Sequence, residues 1–282
     1  MSDRLVRGIN KETKFFACDM TDTVNKVIKL QNLSITSSVA LGRLLQAGAM
    51  MGMELKDRKK SLTLQIQGDG PLGVIVVVAK KEGVLKGYVQ NPSVEVKEKK
   101  LRSFDIPKAI GKGVLQVIKD EGLKRPYNAL VKLQTSTIAN DLSYYFYQSE
   151  QIPTIVSLGV FIQPDGFVRK AGGFIVQLLP NSNDITISKL EKKVAEFPNL
   201  TDLMDMGYEI ETILEKFLLD KPRILETKPV DFICDCNKER FLAGINLLKK
   251  QEIENILKED GVIKVNCHFC NKSYTFGREI FR

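Results

Sequence analysis

The chain has 282 residues, 43% of them hydrophobic, with 42 Lys and Arg against 34 Asp and Glu, five Cys, one His and no Trp. That length allows one large domain or two smaller ones, while the longest apolar run, residues 74–79, is far short of a spanning helix and the Met1-Ser2-Asp3-Arg4 start is polar, so a cytoplasmic protein with no membrane contact is expected. His268 is the single imidazole, which argues against Ser-His hydrolysis, His-rich metal sites and enzymatic function of that kind.

Charge divides the chain. Residues 1–180 carry 26 basic and 16 acidic side chains, residues 181–228 carry 7 and 10, and residues 229–282 carry 9 and 8. In the first part, residues 37–55 predict a helix by length and by their Ala, Leu and Met content, capped at Ser37 or Ser38. Leu62, Leu64 and Ile66 alternate with polar residues and predict a half-buried strand. Residues 74–79 continue as a fully apolar strand that turns at Gly83 and returns over residues 84–90. Residues 136–150 predict a helix ending before Pro153. A hairpin around Pro164-Asp165-Gly166 joins residues 156–162 to 174–179. The expected fold is α+β: a mostly antiparallel-sheet domain over residues 1–180, a helical linker over 181–228 built on helix signals at 188–197 and 208–220 and lacking a strand pattern, and a small domain over 229–282.

Several motifs carry no chemistry. Residues 68–73 (GDGPLG) match the dinucleotide fingerprint, but a strand follows where the fingerprint needs a helix, so a turn is expected. Gly111-Lys112-Gly113 lacks the Ser or Thr of a phosphate-binding loop. The basic runs at 56–60 and 97–102 are interrupted by acids and lack interleaved aromatics, so they read as solvated loops and nucleic-acid binding is not expected. Cys18 reads as a small buried side chain in an early strand, with no role assigned.

The other four cysteines differ in kind. Cys234-Asp235-Cys236 and Cys267-His268-Phe269-Cys270 are two close pairs, the second lying between strand signals at 262–265 and 273–276, as in the knuckle of a zinc ribbon. Four thiolates fill a tetrahedral Zn²⁺ site, so one zinc per chain is expected on Cys234, Cys236, Cys267 and Cys270, with His268 a neighbour. Four thiolates and the metal together take residues 229–282 from +1 to −1, unlike a basic nucleic-acid-binding ribbon. Ordinary reduced thiols or a Cys-x-x-Cys oxidoreductase pair are the non-metal readings.

A Cys-x-Cys followed some 30 residues later by a terminal Cys-x-x-Cys resembles the heat-shock protein 33 family, the redox-regulated bacterial chaperones. Residues 7–24, 68–73, 87–92, 111–120, 149–153 and 171–180 resemble that family's landmarks in order, so the likeness covers essentially the whole chain. Two segments depart from it: 136–142 (STIANDL) replaces a more acidic stretch, and 248–253 (LKKQEI) lacks a turn glycine. The resemblance implies an ATP-independent holdase that is inactive when reduced and zinc-bound. Oxidation is implied to form disulfides Cys234–Cys236 and Cys267–Cys270, release zinc, unfold the small domain and linker, and expose a surface that captures unfolding client proteins, with the oxidised form a homodimer. A zinc-ribbon protein acting on RNA and a thiol-disulfide oxidoreductase are the rival classes. On the residues alone, 208–220 place Tyr208, Ile210, Ile213, Leu214, Phe217 and Leu218 near one helical face, which needs an apolar neighbour.

Overall fold

Alternating and fully apolar segments build most of the first two-thirds of the chain. The computed structural model describes residues 3–96, 104–180, 182 and 184–281, so the basic run at 97–102 lies outside the described residues. The chain divides into two compact units, Met1–Phe232 and Ile233–Arg282.

The first unit opens with β1 (Arg4–Ile9), β2 (Thr13–Asp19), α1 (Thr21–Gln31) and α2 (Ile35–Gly52). It continues through β3 (Ser61–Gly68), β4 (Val74–Lys80), β5 (Val84–Val89), α3 (Ile106–Ile110), β6 (Gly113–Asp120) and β7 (Tyr127–Lys132). Next come α4 (Ala139–Tyr145), a π-helical turn Phe146–Glu150, and the hairpin β8 (Thr154–Ile162) and β9 (Val168–Leu178). Then follow α5 (Asp184–Glu196), α6 (Leu200–Asp205), α7 (Ile210–Phe217), β10 (Arg223–Pro229) and β11 (Asp231–Phe232). Five strands form one sheet in the order β10-β1-β2-β9-β8, and six form another in the order β11-β5-β4-β3-β6-β7. Among the described residues the pairings of these two sheets are antiparallel except β11 on β5, which confirms the α+β class.

The helix expected over 37–55 is α2, displaced toward its N-terminus. Its cap is Ser34, whose Oγ accepts from the Ser37 N–H at 3.2 Å, while Ser37 and Ser38 are buried within the helix. Leu41, Leu44, Leu45 and Met50 are fully buried because α2 packs against strands of both sheets. The expected helix over 136–150 begins only at Ala139. Ahead of it, Asp141 draws the N–H groups of Gln134, Thr135, Ser136 and Ile138 into a loop.

The glycine fingerprint is a turn between β3 and β4. Gly68 and Gly70 are there for close approach: a Cβ on either would strike the Ile110 or Ala109 carbonyl. The same contact is fixed by Gly70 N–H to Ile110 C=O (2.9 Å) and Asp69 N–H to Lys112 C=O (2.8 Å), so the Gly111-Lys112-Gly113 loop is its counterpart. The basic run at 56–60 is a largely exposed turn whose Arg58 pairs with Glu82. Cys18 lies in β2 with no exposure.

The stretch read as a helical linker is different in part. It falls inside the first unit, and its last residues form β10, a strand the sequence pattern did not show. β10 pairs antiparallel with β1, and five of its seven residues are exposed, so it has no apolar period to detect. On α7, Ile210, Ile213, Leu214 and Phe217 are at most 1% exposed, whereas Tyr208 precedes the helix, is 41% exposed, and carries Lys216 over its ring.

The second unit holds α8 (Lys238–Ile245), α9 (Lys250–Glu259), the antiparallel hairpin β12 (Val262–Asn266) and β13 (Ser273–Gly277), and a final 3₁₀ turn. Ile245, Ile253, Leu257, Ile263 and Phe276 form its small core.

Candidate metal centre

Two turns bring the four late cysteines together. The first is the segment Cys234-Asp235-Cys236, held open for α8 by Asn237, whose side chain caps the Arg240 N–H at 2.8 Å. Arg240 returns to the loop, pairing with the Asp235 carboxylate at 2.8 Å. The second is the knuckle between β12 and β13: Cys267 N–H donates to Lys272 C=O (2.9 Å), Asn271 N–H donates to Cys267 C=O (2.8 Å), and Asn271 takes the left-handed conformation that reverses the chain.

The Sγ atoms of Cys234, Cys236, Cys267 and Cys270 all lie within 4.8 Å of one another. Cys234 and Cys267 are 3.6 Å apart, Cys236 and Cys270 3.3 Å. Sulfurs about 2.3 Å from a central zinc stand about 3.8 Å apart in a tetrahedron, so the spacing and the all-thiol donor set fit a zinc ion closely. His268 is exposed and outside this cluster, and Cys18 belongs to β2 of the first unit. The four cysteines singled out by spacing are thus the ones gathered.

The sulfurs are not equivalent. Cys267 and Cys270 are 4% and 6% exposed; Cys234 and Cys236 are more open. Desolvation pushes the Cys234 and Cys270 thiols up. At Cys236 desolvation acts the same way but is outweighed by hydrogen bonds from Tyr274 and the neighbouring thiols, which bring it down to about 7. Tyr274 Oη lies 3.2 Å from Cys236 Sγ and 3.1 Å from Cys236 C=O, and contact with that sulfur pushes the phenol up to about 12. Sequence reasoning assigned Tyr274 only to a strand. Its ring packs at a tilt of 37° against Phe241, 4.9 Å between centroids, a tertiary contact with no local signature. A cluster with one thiol titrating near neutrality can lose protons to solvent as a thiophilic cation binds, and thiolates are equally the nucleophiles that react with oxidants.

An antiparallel α+β unit followed in the chain by a hairpin that gathers four thiols defines the class. The family model described as Hsp33 protein matches residues 3–277. A "33 kDa chaperonin" of Caldanaerobacter subterraneus subsp. tengcongensis is 44% identical, the alignment covering 99% of this chain and 96% of that protein. One of Bacillus pumilus is 40% identical over 98% and 96%. The crystal structure of the heat shock protein 33 homolog of Thermotoga maritima superposes with a TM-score of 0.91 at 34% identity, covering 99% of this chain and 95% of that one. The chain belongs to the Hsp33 family. No helix among the described residues is long and apolar enough to cross a membrane.

Proposed function

We propose that this protein is a cytoplasmic, ATP-independent holdase switched by oxidation of its four clustered cysteines. The observation that carries the reading is the gathering of Cys234, Cys236, Cys267 and Cys270 within 4.8 Å in a protein of the Hsp33 family. Reduced, the four thiolates would hold one zinc ion, which when bound offsets their mutual repulsion and cross-links the two turns. Oxidation to Cys234–Cys236 and Cys267–Cys270 removes four electrons, accepted by two equivalents of peroxide or hypochlorous acid, and leaves no thiolate donors. Each disulfide then closes only a short loop within one turn, which cannot replace a brace between the turns.

The surface released lies under α5 to α7. Val6, Phe15, Ala17, Phe174 and Val176 of the five-stranded sheet form one apolar cluster with Leu190, Leu200, Leu203, Met204, Ile213 and Phe217. Displacing those helices would uncover a sheet face suited to apolar segments of unfolding clients, and to a second copy in the oxidised dimer. The test follows zinc release and suppression of client aggregation together while oxidant is titrated, without ATP. Coincident zinc loss and onset of activity is expected. Equal activity in the reduced and oxidised forms, or an absolute need for ATP, overturns the reading.

A further inference from the structure

Among the described residues, β8 is the outer strand of its sheet and one of its edges has no strand beside it. The direction of its backbone groups follows from the ladder. Leu178 N–H donates to Pro153 C=O at 3.1 Å, and the register pairs Thr154 with Gln177 and Leu158 with Gly173. Bonded pairs therefore alternate from Pro153, which turns the N–H and C=O of Val156, Leu158 and Val160 away from β9. Among the described residues, these groups make no hydrogen bond elsewhere in the chain.

A cleft of about 320 Å³ runs along this edge, with residues 155–160 on one side and Val194 and residues 197–201 on the other. Arg43, from α2, is the one charged side chain lining it among the described residues. Among the described residues it has no carboxylate partner. Its Nε is buried without a hydrogen bond, and its recorded contact is a long one from Nη1 to Thr137 C=O, 3.5 Å. Burial pushes its pKa down. A desolvated guanidinium without a counter-charge is costly, and a planar fork of donors is matched to a carboxylate.

We infer that this cleft docks an extended segment of unfolded polypeptide, which adds as a strand to the free edge of β8 and places an acidic side chain on Arg43. Main-chain bonds to Val156, Leu158 and Val160 supply affinity without sequence preference, and Arg43 supplies the preference for acid. The excess of basic residues in 1–180 favours the same charge. The inference takes its class of partner from the chaperone reading. It adds where and by what chemistry a client segment is held. The far wall of the cleft is the start of α6: a Cβ on Gly159 would meet Thr201 Cγ2 at 2.5 Å. Departure of that helix would widen the cleft, so binding should tighten on oxidation.

The experiment titrates the full-length chain, reduced and oxidised, with a fluorescein-labelled, end-blocked octapeptide of alternating Val and Thr with one central Glu, read by anisotropy. The Glu peptide should bind about tenfold or more tighter than its Gln counterpart, and N-methylation of alternate peptide amides should abolish binding. Arg43→Gln should remove the preference while Arg43→Lys keeps part of it. Equal affinity for the Glu and Gln peptides in both redox states overturns the site without relying on any protein variant. So does a preference unchanged in a folded Arg43→Gln chain. A Gln peptide with a free C-terminus that matches the Glu peptide would overturn the side-chain assignment. Aggregation assays on the same preparations separate the two readings: suppression by the oxidised chain without any peptide preference sinks the docking site alone, and no suppression sinks the chaperone reading.

Discussion

At Cys236 a single phenolic proton faces two acceptors, the sulfur at 3.2 Å and the carbonyl at 3.1 Å. Either bond fixes the position of Cys236 relative to Cys270, and groups that orient a ligand in this way typically contribute about 10- to 100-fold to metal affinity. Tyr274→Phe is therefore expected to retain one zinc per reduced chain yet lose it to a chelator at a concentration at least about tenfold lower, read by competition with a zinc-binding dye. Unchanged retention would mean that Tyr274 acts on packing alone. Cys18 provides the opposite case. Complete burial, reinforced by Asp19, pushes its thiol up, so iodoacetamide should spare Cys18 in the chelator-treated chain, whose first unit stays folded, while the other four thiols are modified. Peptide mass mapping checks this. The cysteine cluster was legible because Cys-x-Cys and Cys-x-x-Cys are local patterns. Tyr274 was not, because its hydroxyl reaches a sulfur 38 positions away only through the register that sets Val265 opposite Tyr274.

Two kinds of attachment hold α7 to the rest of the first unit, and their magnitudes differ. Arg4 pairs with Glu209 and Glu211, the latter at 2.9 Å, and both carboxylates are about a third exposed or more, so the pairs contribute about 0–1 kcal/mol each. Ile213 and Phe217 are essentially without exposure, and burying such side chains is worth roughly 1.5–3 kcal/mol apiece. The apolar face should therefore dominate and the charges orient. Arg4→Ala is expected to leave the linker as protease-resistant as in the parent, within a few-fold. Ile213→Asp/Phe217→Asp is expected to expose residues around 208–220 to protease and to give aggregation suppression under reductant with zinc still bound, because two unpaired carboxylates cannot be buried there. A double variant that keeps its zinc, resists protease and stays inactive would show that α7 does not hold the off-state. The helical face of α7 was visible in the sequence because its period is 3.6 over a full turn and more. β10 was invisible for the converse reason: its bonds to β1 are main-chain bonds, Glu226 meets Arg7 at 2.7 Å, and its side chains are mostly in solvent. α1 was also missed, since its buried positions include Thr23 and Gln31 beside Val24 and Val27 and blur the apolar stripe.

The two units differ in what keeps them folded. In the first, the core under α2 joins residues of both sheets, from Leu5 to Phe232, and a second cluster forms beneath α5 to α7. In the second, the described core is Ile245, Ile253, Leu257, Ile263 and Phe276, with Leu247 88% exposed and Leu248 43% exposed between its two helices. So few buried side chains stand against an ordering cost of about 1–2 kcal/mol per residue, and a unit of this size is marginal without a staple. Structural zinc contributes an apparent 10–16 kcal/mol or so in small fingers, enough to decide the balance. Chelation under strict reductant, which leaves every covalent bond intact, is therefore expected to unfold residues 233–281 while the first unit persists. Hydrogen exchange reads this directly: amides of α8, α9, β12 and β13 should lose protection on zinc removal, and those of β3, β4 and β6 should keep it. Re-addition of zinc should restore protection, because no disulfide has formed to trap the open chain. If the amides of β12 and β13 stay protected without metal, the five-residue core is sufficient by itself. Oxidation would then have to act through the disulfides rather than through loss of the metal brace.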